Sequence, residues 1–227
     1  MSAREAFAAA NVRLLTAQFA HYLEVYDRHP PFRPEAHALH VETLRRRGLA
    51  GSAVSALEDE PFLRSLYATL KAWQIGQRGS RLWPFERFRL GLRAQRAVFA
   101  DLDGMMIDDP NLDVDRTVAV LRSLIRDIGI VDNKAPLVAG AKAIHHILPD
   151  LVAPIDRRYT RPFFGWYSSQ FQYRQEAACE EIFRTYHQVA TSVDLDRHIK
   201  DGWRTARAKL LDNAVVGFCI EHNVKRS

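Results

Sequence analysis

The chain has 227 residues, 47% of them apolar and 26% charged, an ordinary globular composition that buries a core without needing a disulfide or metal staple. A net charge of +5 and a pI near 9.4 permit an anionic partner such as nucleic acid without requiring one. No apolar run reaches the roughly eighteen residues of a membrane span, and the charged N-terminal stretch lacks the apolar core of a signal peptide. The expectation is therefore a cytoplasmic protein with no membrane partner.

Almost every segment has helical period. Residues 4 to 28 place Phe7, Val12, Leu15, Phe19, Tyr22, Leu23 and Tyr26 near a three-four spacing, the pattern of an amphipathic helix. His29-Pro30-Pro31 ends it, because proline cannot continue a helix. A second helix is predicted from Pro34 to Arg47 with Gly48 as its C-terminal cap. A third starts near Asp59, with Pro61 in its first turn and Phe62, Leu66, Leu70 and Trp73 on one face. A loop over Gly76–Ser80 leads to the most basic helix, where Arg87, Arg89, Arg93 and Arg96 accompany Trp83, Phe85, Phe88 and Phe99. Further helices are predicted over Val114–Asp127, ended by Gly129, and over Gln175–Val193 and Arg204–His222. Strand candidates are Gly129–Val131 and Arg96–Leu102. The fold class expected is all-α, one compact domain over 1–227 with about eight to ten helices, divisible into sub-lobes 1–110 and 111–227 around a cleft. Cys179 and Cys219 lie in helical patterns without C-x-x-C spacing and read as buried free thiols.

The segment Gly140 to Arg161 concentrates the chemistry. Lys142, one of six lysines against 26 arginines, lies on the apolar helix A-K-A-I-H-H-I-L with His145 and His146. Lys142 and His146 are four apart and share a face. After Pro149-Asp150, the turn Pro154-Ile155-Asp156 places a carboxylate fourteen residues from that lysine. Two readings of Asp156 compete: a cap accepting backbone N–H groups, or a carboxylate facing a cleft. A lysine against an apolar surface is the kind of amine that forms Schiff bases. The histidine pair lacks a third ligand at metal spacing, so no metal and no cofactor is expected. The aromatic stretch that follows, with Trp166 and Tyr167, could line a pocket for a planar base or plug the core.

These residues resemble the helix-hairpin-helix DNA glycosylases. Gly140-Ala141-Lys142-Ala143 is similar to that family's Gly-x-Lys helix start, and Pro154-Ile155-Asp156-Arg157-Arg158-Tyr159 to its aspartate turn. The likeness extends to the bifunctional 8-oxoguanine branch. It implies an all-α DNA-repair hydrolase with DNA as partner, Lys142 as imine-forming nucleophile and Asp156 as catalytic carboxylate. The family's hairpin reads Ala135-Pro136-Leu137-Val138-Ala139 here, without its two glycines, and the Lys-to-Asp interval is a few residues shorter. Under this reading Arg87, Arg89, Arg93, Arg96, Arg157 and Arg158 contact phosphate. His146, Tyr159, Trp166, Tyr167, Asp212 and Asn213 belong to the pocket, the last two either hydrogen-bonding the Asp156–Tyr159 turn or lining its cleft.

Two other readings stand beside it. In a non-enzymatic helical binding module of glycosylase-like shape, the Pro-bounded turn is structural and Lys142 makes a buried ion pair. The stretch Asp101-Leu102-Asp103-Gly104 also resembles the signature of haloacid-dehalogenase-type magnesium phosphatases. That reading requires Asp101 on a central strand.

Overall fold

The computed structural model describes residues 2–76, 81–132 and 136–224, and among these it is all-α. Most of the predicted loop 76–80, and Ala135 at the start of the hairpin-like segment, lie outside the described residues.

Ser2 and Glu5 form a capping box that starts α1 (Ala3–Ala17). The helix expected over 4–28 is broken at Gln18, whose backbone leaves the helical region, and resumes as α2 (Phe19–Arg28). Next, α3 (Pro34–Ala50) runs past Arg47; Gly51, at φ 77°, ends it in place of Gly48. A short helix not read from sequence, α4 (Ala53–Glu58), is capped by Ser52. As expected, Asp59 caps α5 (Glu60–Ala72) by accepting from the Phe62 amide.

The basic stretch forms two helices, α6 (Phe85–Ala94) and α7 (Arg96–Leu102), so Arg96–Leu102 is helix and not strand. The other strand candidate reduces to a single antiparallel bridge between Leu82 and Val131. The remaining helices are α8 (Val114–Asp127), α9 (Leu137–Ile147), α10 (Thr160–Phe163), α11 (Ser168–Tyr173), α12 (Gln175–Ala190) and α13 (Arg207–Glu221), with a 3-10 turn at Asp196–His198. The thirteen helices among the described residues exceed the eight to ten expected because several are only one or two turns long. No helix among them is long and apolar enough to cross a membrane.

Two helices organise the core. In α9 all residues but Val138 are buried, and in α13 the run Ala208–Cys219 is buried. A helix buried all round belongs at the centre of a bundle. α13 packs most extensively on α2, α5 lies against α3 and α9, and α8 against α12. The α2–α13 approach is close enough that a Cβ at Gly217 would sit 1.9 Å from the Tyr22 carbonyl oxygen.

Gly217→Ala should therefore force the two helices apart and lower stability by about 3 kcal/mol or more. Gly48→Ala, in α3 with nothing within 4 Å of the added methyl, should raise it by about 0.5–1 kcal/mol through helix propensity. Urea unfolding midpoints of the two variants check the contrast.

Candidate functional site

The turn after α9 is built around Asp156. Its Oδ1 accepts from the backbone amides of Arg158 at 2.5 Å and Tyr159 at 3.2 Å, and its own amide donates to Thr160 Oγ1 at 3.0 Å. The N-cap residue of α10 is Tyr159, so Asp156 caps the turn and not the helix itself. Its second oxygen is left for other work: Oδ2 stands 3.5 Å from Lys142 Nζ. The two competing readings of this carboxylate are thus divided between its two oxygens. The Lys142 side chain is 6% exposed and that of Asp156 24%, so the pair opens towards solvent on the aspartate side. Arg157 and Arg158 flank that side and are exposed.

A second lysine–carboxylate pair lies in α13. Lys209 Nζ donates to Asp212 Oδ2 at 2.5 Å and to Asn213 Oδ1 at 2.6 Å, all three residues being buried. Asn213 in turn donates to the Trp203 carbonyl, and not to the Asp156–Tyr159 turn as expected. Burial disfavours both charges, lowering Lys209 below the usual lysine range and raising Asp212 above the usual carboxylate range. The indole of Trp73, at the end of α5, joins the two pairs: Lys142 Nζ is 5.5 Å and Lys209 Nζ 6.0 Å from its ring centroid.

Beside the lysines lies a chain of imidazoles. His146 Nδ1 is 2.8 Å from the Lys142 carbonyl, so it carries the proton and donates, leaving Nε2 to accept from His40 Nδ1 at 3.0 Å. His145 Nδ1 donates to the Val152 carbonyl at 2.8 Å. Burial, the largest cause in each case, pushes His40 and His145 well below the ordinary histidine range and His146 to about 4. All three are neutral in the folded protein at neutral pH.

The remaining candidates are dispersed. Tyr159 is buried, its carbonyl accepting from the Cys219 thiol. Trp166 is buried beneath the Arg4 guanidinium, 4.3 Å above its ring, while Tyr167 is 61% exposed. Arg89 pairs with Glu86 and Glu60, and Arg93 with Glu58 and the Leu57 carbonyl. Arg87 is exposed and stacks over Trp83, and Arg96 is exposed. Both cysteines are buried, their thiols pushed up to about 12 by desolvation.

The phosphatase reading fails on position. Asp101 lies on α7, exposed and paired with Arg116, and Asp103 is taken by Arg47 and the Ala53 amide. The sequence spacing that puts Lys209 and Asp212 one turn apart on a helix, as a salt bridge, agrees with the pair found. Sequence reasoning missed its enclosure by Trp73, Tyr26, Phe32 and Trp203 and the approach of His40, for which the available signal was a second rare lysine inside an apolar run. No protein-family model, curated protein or solved structure matches the chain.

The neutral imidazoles make stability acid-sensitive. In the unfolded chain each binds a proton near pH 6.5, whereas the folded chain resists until much lower pH. Their contribution is intact above about pH 6.5 and is lost as pH falls below it, for His146 down to about 4, by up to about 1.4 kcal/mol per histidine per pH unit. Unfolding free energies between about pH 6.5 and pH 5 should fall with this slope, and His146→Gln should flatten it by about one proton.

Proposed function

We propose that the chain cleaves the N-glycosidic bond of a damaged or modified base in nucleic acid, with Lys142 as the attacking amine and Asp156 as its carboxylate partner. The observation that supports this is the 3.5 Å approach of Lys142 Nζ to Asp156 Oδ2 across the Pro-bounded turn, open on the aspartate side. Lys142 must lose a proton before it can attack, and Asp156 Oδ2 is placed to take it. The amine nitrogen then bonds to C1′ of an extruded nucleotide. The bond from C1′ to the base breaks, and the base leaves with the electron pair and takes up a proton. Opening of the sugar ring leaves an imine at Lys142. Arg157 and Arg158, exposed beside the turn, are suited to hold the backbone phosphates.

The deep burial of Lys142, at 5% exposure, favours a second reading, a helical binding module in which the ion pair is structural.

Incubation with a panel of duplexes carrying damaged or modified bases, in the presence of borohydride, separates the two. A covalent adduct is expected for the native chain and none for Lys142→Ala. Asp156→Asn keeps an acceptor for the turn amides and should fold, but lose about 100-fold or more in rate. Base release without an adduct would leave Asp156 acting alone, and no release with any duplex would favour the binding module. Arg157→Ala with Arg158→Ala should weaken binding to all sequences alike and reduce the logarithmic salt slope by about two.

A further inference from the structure

Lys209 is walled in by aromatic rings. Its Nζ lies 5.3 Å from the ring centroid of Trp203, 5.5 Å from Tyr26, 5.7 Å from Phe32 and 6.0 Å from Trp73. The residue is wholly buried, and its charge-bearing neighbours on α13 are Asp212 at 2.5 Å and, as a polar partner, Asn213 at 2.6 Å. Phe32 and Trp203 are partly buried, whereas Tyr26 and Trp73 are buried.

Trp203 does not belong to a helix. It sits on the stretch between the 3-10 turn and α13, where Gly202 turns the chain at φ 86°. Its indole stacks on His37 at 4.4 Å and His40 at 5.3 Å. The stretch is tethered by contacts at its margins: Asp27 pairs with Lys200 at 2.8 Å and Arg204 at 2.7 Å, the Lys200 amide donates to the Arg204 carbonyl, and Asn213 donates to the Trp203 carbonyl. Of these, the pair with exposed Lys200 is screened by salt and holds weakly, whereas Arg204 is buried and its pair with Asp27 is the firmer tether.

We infer that Lys209 is a second carbonyl-reactive amine, shut away by the Trp203 indole, whose ligand class is a small aldehyde or ketone. This is independent of the role proposed for Lys142. When the Trp203 stretch moves aside, the ammonium passes a proton to Asp212 along their short contact. The freed nitrogen adds to the carbonyl carbon, and the carbonyl π pair moves to oxygen, which takes the proton shed by nitrogen. Asp212 then protonates the hydroxyl, water leaves, and a protonated imine remains at Lys209 with the carboxylate restored. Burial favours the neutral amine. Lys142 on α9 opposes a second positive charge, Asp156 and Asp212 favour one, and the imidazoles facing the lysine, His40 on α3 with His145 and His146 on α9, are neutral.

Reductive methylation of the intact protein with formaldehyde and cyanoborohydride near pH 7, read lysine by lysine through peptide mass mapping, tests this without nucleic acid. In the native chain Lys209 should label more slowly than exposed Lys71 and Lys200. In Trp203→Ala it should overtake both and label at least about tenfold faster than in the native chain, as expected of an amine whose neutral form is favoured by burial. Asp27→Asn removes the charge that pairs with Lys200 and buried Arg204, leaves the other tethers in place, and should give a smaller rise. Unchanged labelling of Lys209 in both variants overturns the proposal. So does an equal rise in Leu121→Ala, which loses core packing in α8 while keeping Trp203. If no duplex ever traps Lys142 but Lys209 labels as described, the glycosidic reading falls and this one stands.

Discussion

The structure depends on holding two lysine side chains and three imidazoles inside a largely apolar bundle. Desolvating a charged group is costly unless it is paired or neutralised. Each polar group here meets that demand in one of those ways. Lys142 has Asp156 and Lys209 has Asp212 with Asn213, while the imidazoles remain neutral. The aromatic rings around the two ammonium groups add cation–π attraction where water is excluded. Because these partners come from α2, α3, α5, α9, α13 and the turn at Asp156, the polar cluster ties these elements together, alongside local hydrogen bonds such as Thr43 with Thr69 between α3 and α5.

That arrangement explains why α9 and α13 are central and why their packing is tight. α13 rests on α2 through Gly217 at the Tyr22 carbonyl, and four residues along α2 Tyr26 presents its ring to Lys209. The position of the ring relative to the amine is thus set by a backbone contact. A buried charge needs this kind of rigidity, since a small displacement of either partner would leave it unpaired.

Much of this was legible in the sequence where the signal was local. The helices with clear period and caps, such as α5 after Asp59 and α8 before Gly129, follow from spacing alone. The Lys142–Asp156 pairing was legible because a rare lysine on an apolar helix met a Pro-bounded aspartate a short distance along the chain. The break at Gln18 was not, since neither glycine nor proline marks it. Arg96–Leu102 was open to misreading because a short apolar run fits a strand or a buried helix equally. The Lys209–Asp212 pair was legible as an ordinary salt-bridge spacing on a helix, a lysine three residues before an aspartate, but the burial of the lysine was not. Its aromatic enclosure is assembled from segments far apart in the chain, which no local pattern reveals.

The imidazole chain has a direction. His40 donates to His146, and His146 donates to the backbone carbonyl of Lys142. A backbone carbonyl does not take up the proton it is offered, so the line is a dead end for proton conduction. His146 touches the peptide unit of Lys142, while the amine at the far end of the side chain belongs to a separate circuit with Asp156. Along this line, structural hydrogen bonding and amine chemistry are wired apart within one residue.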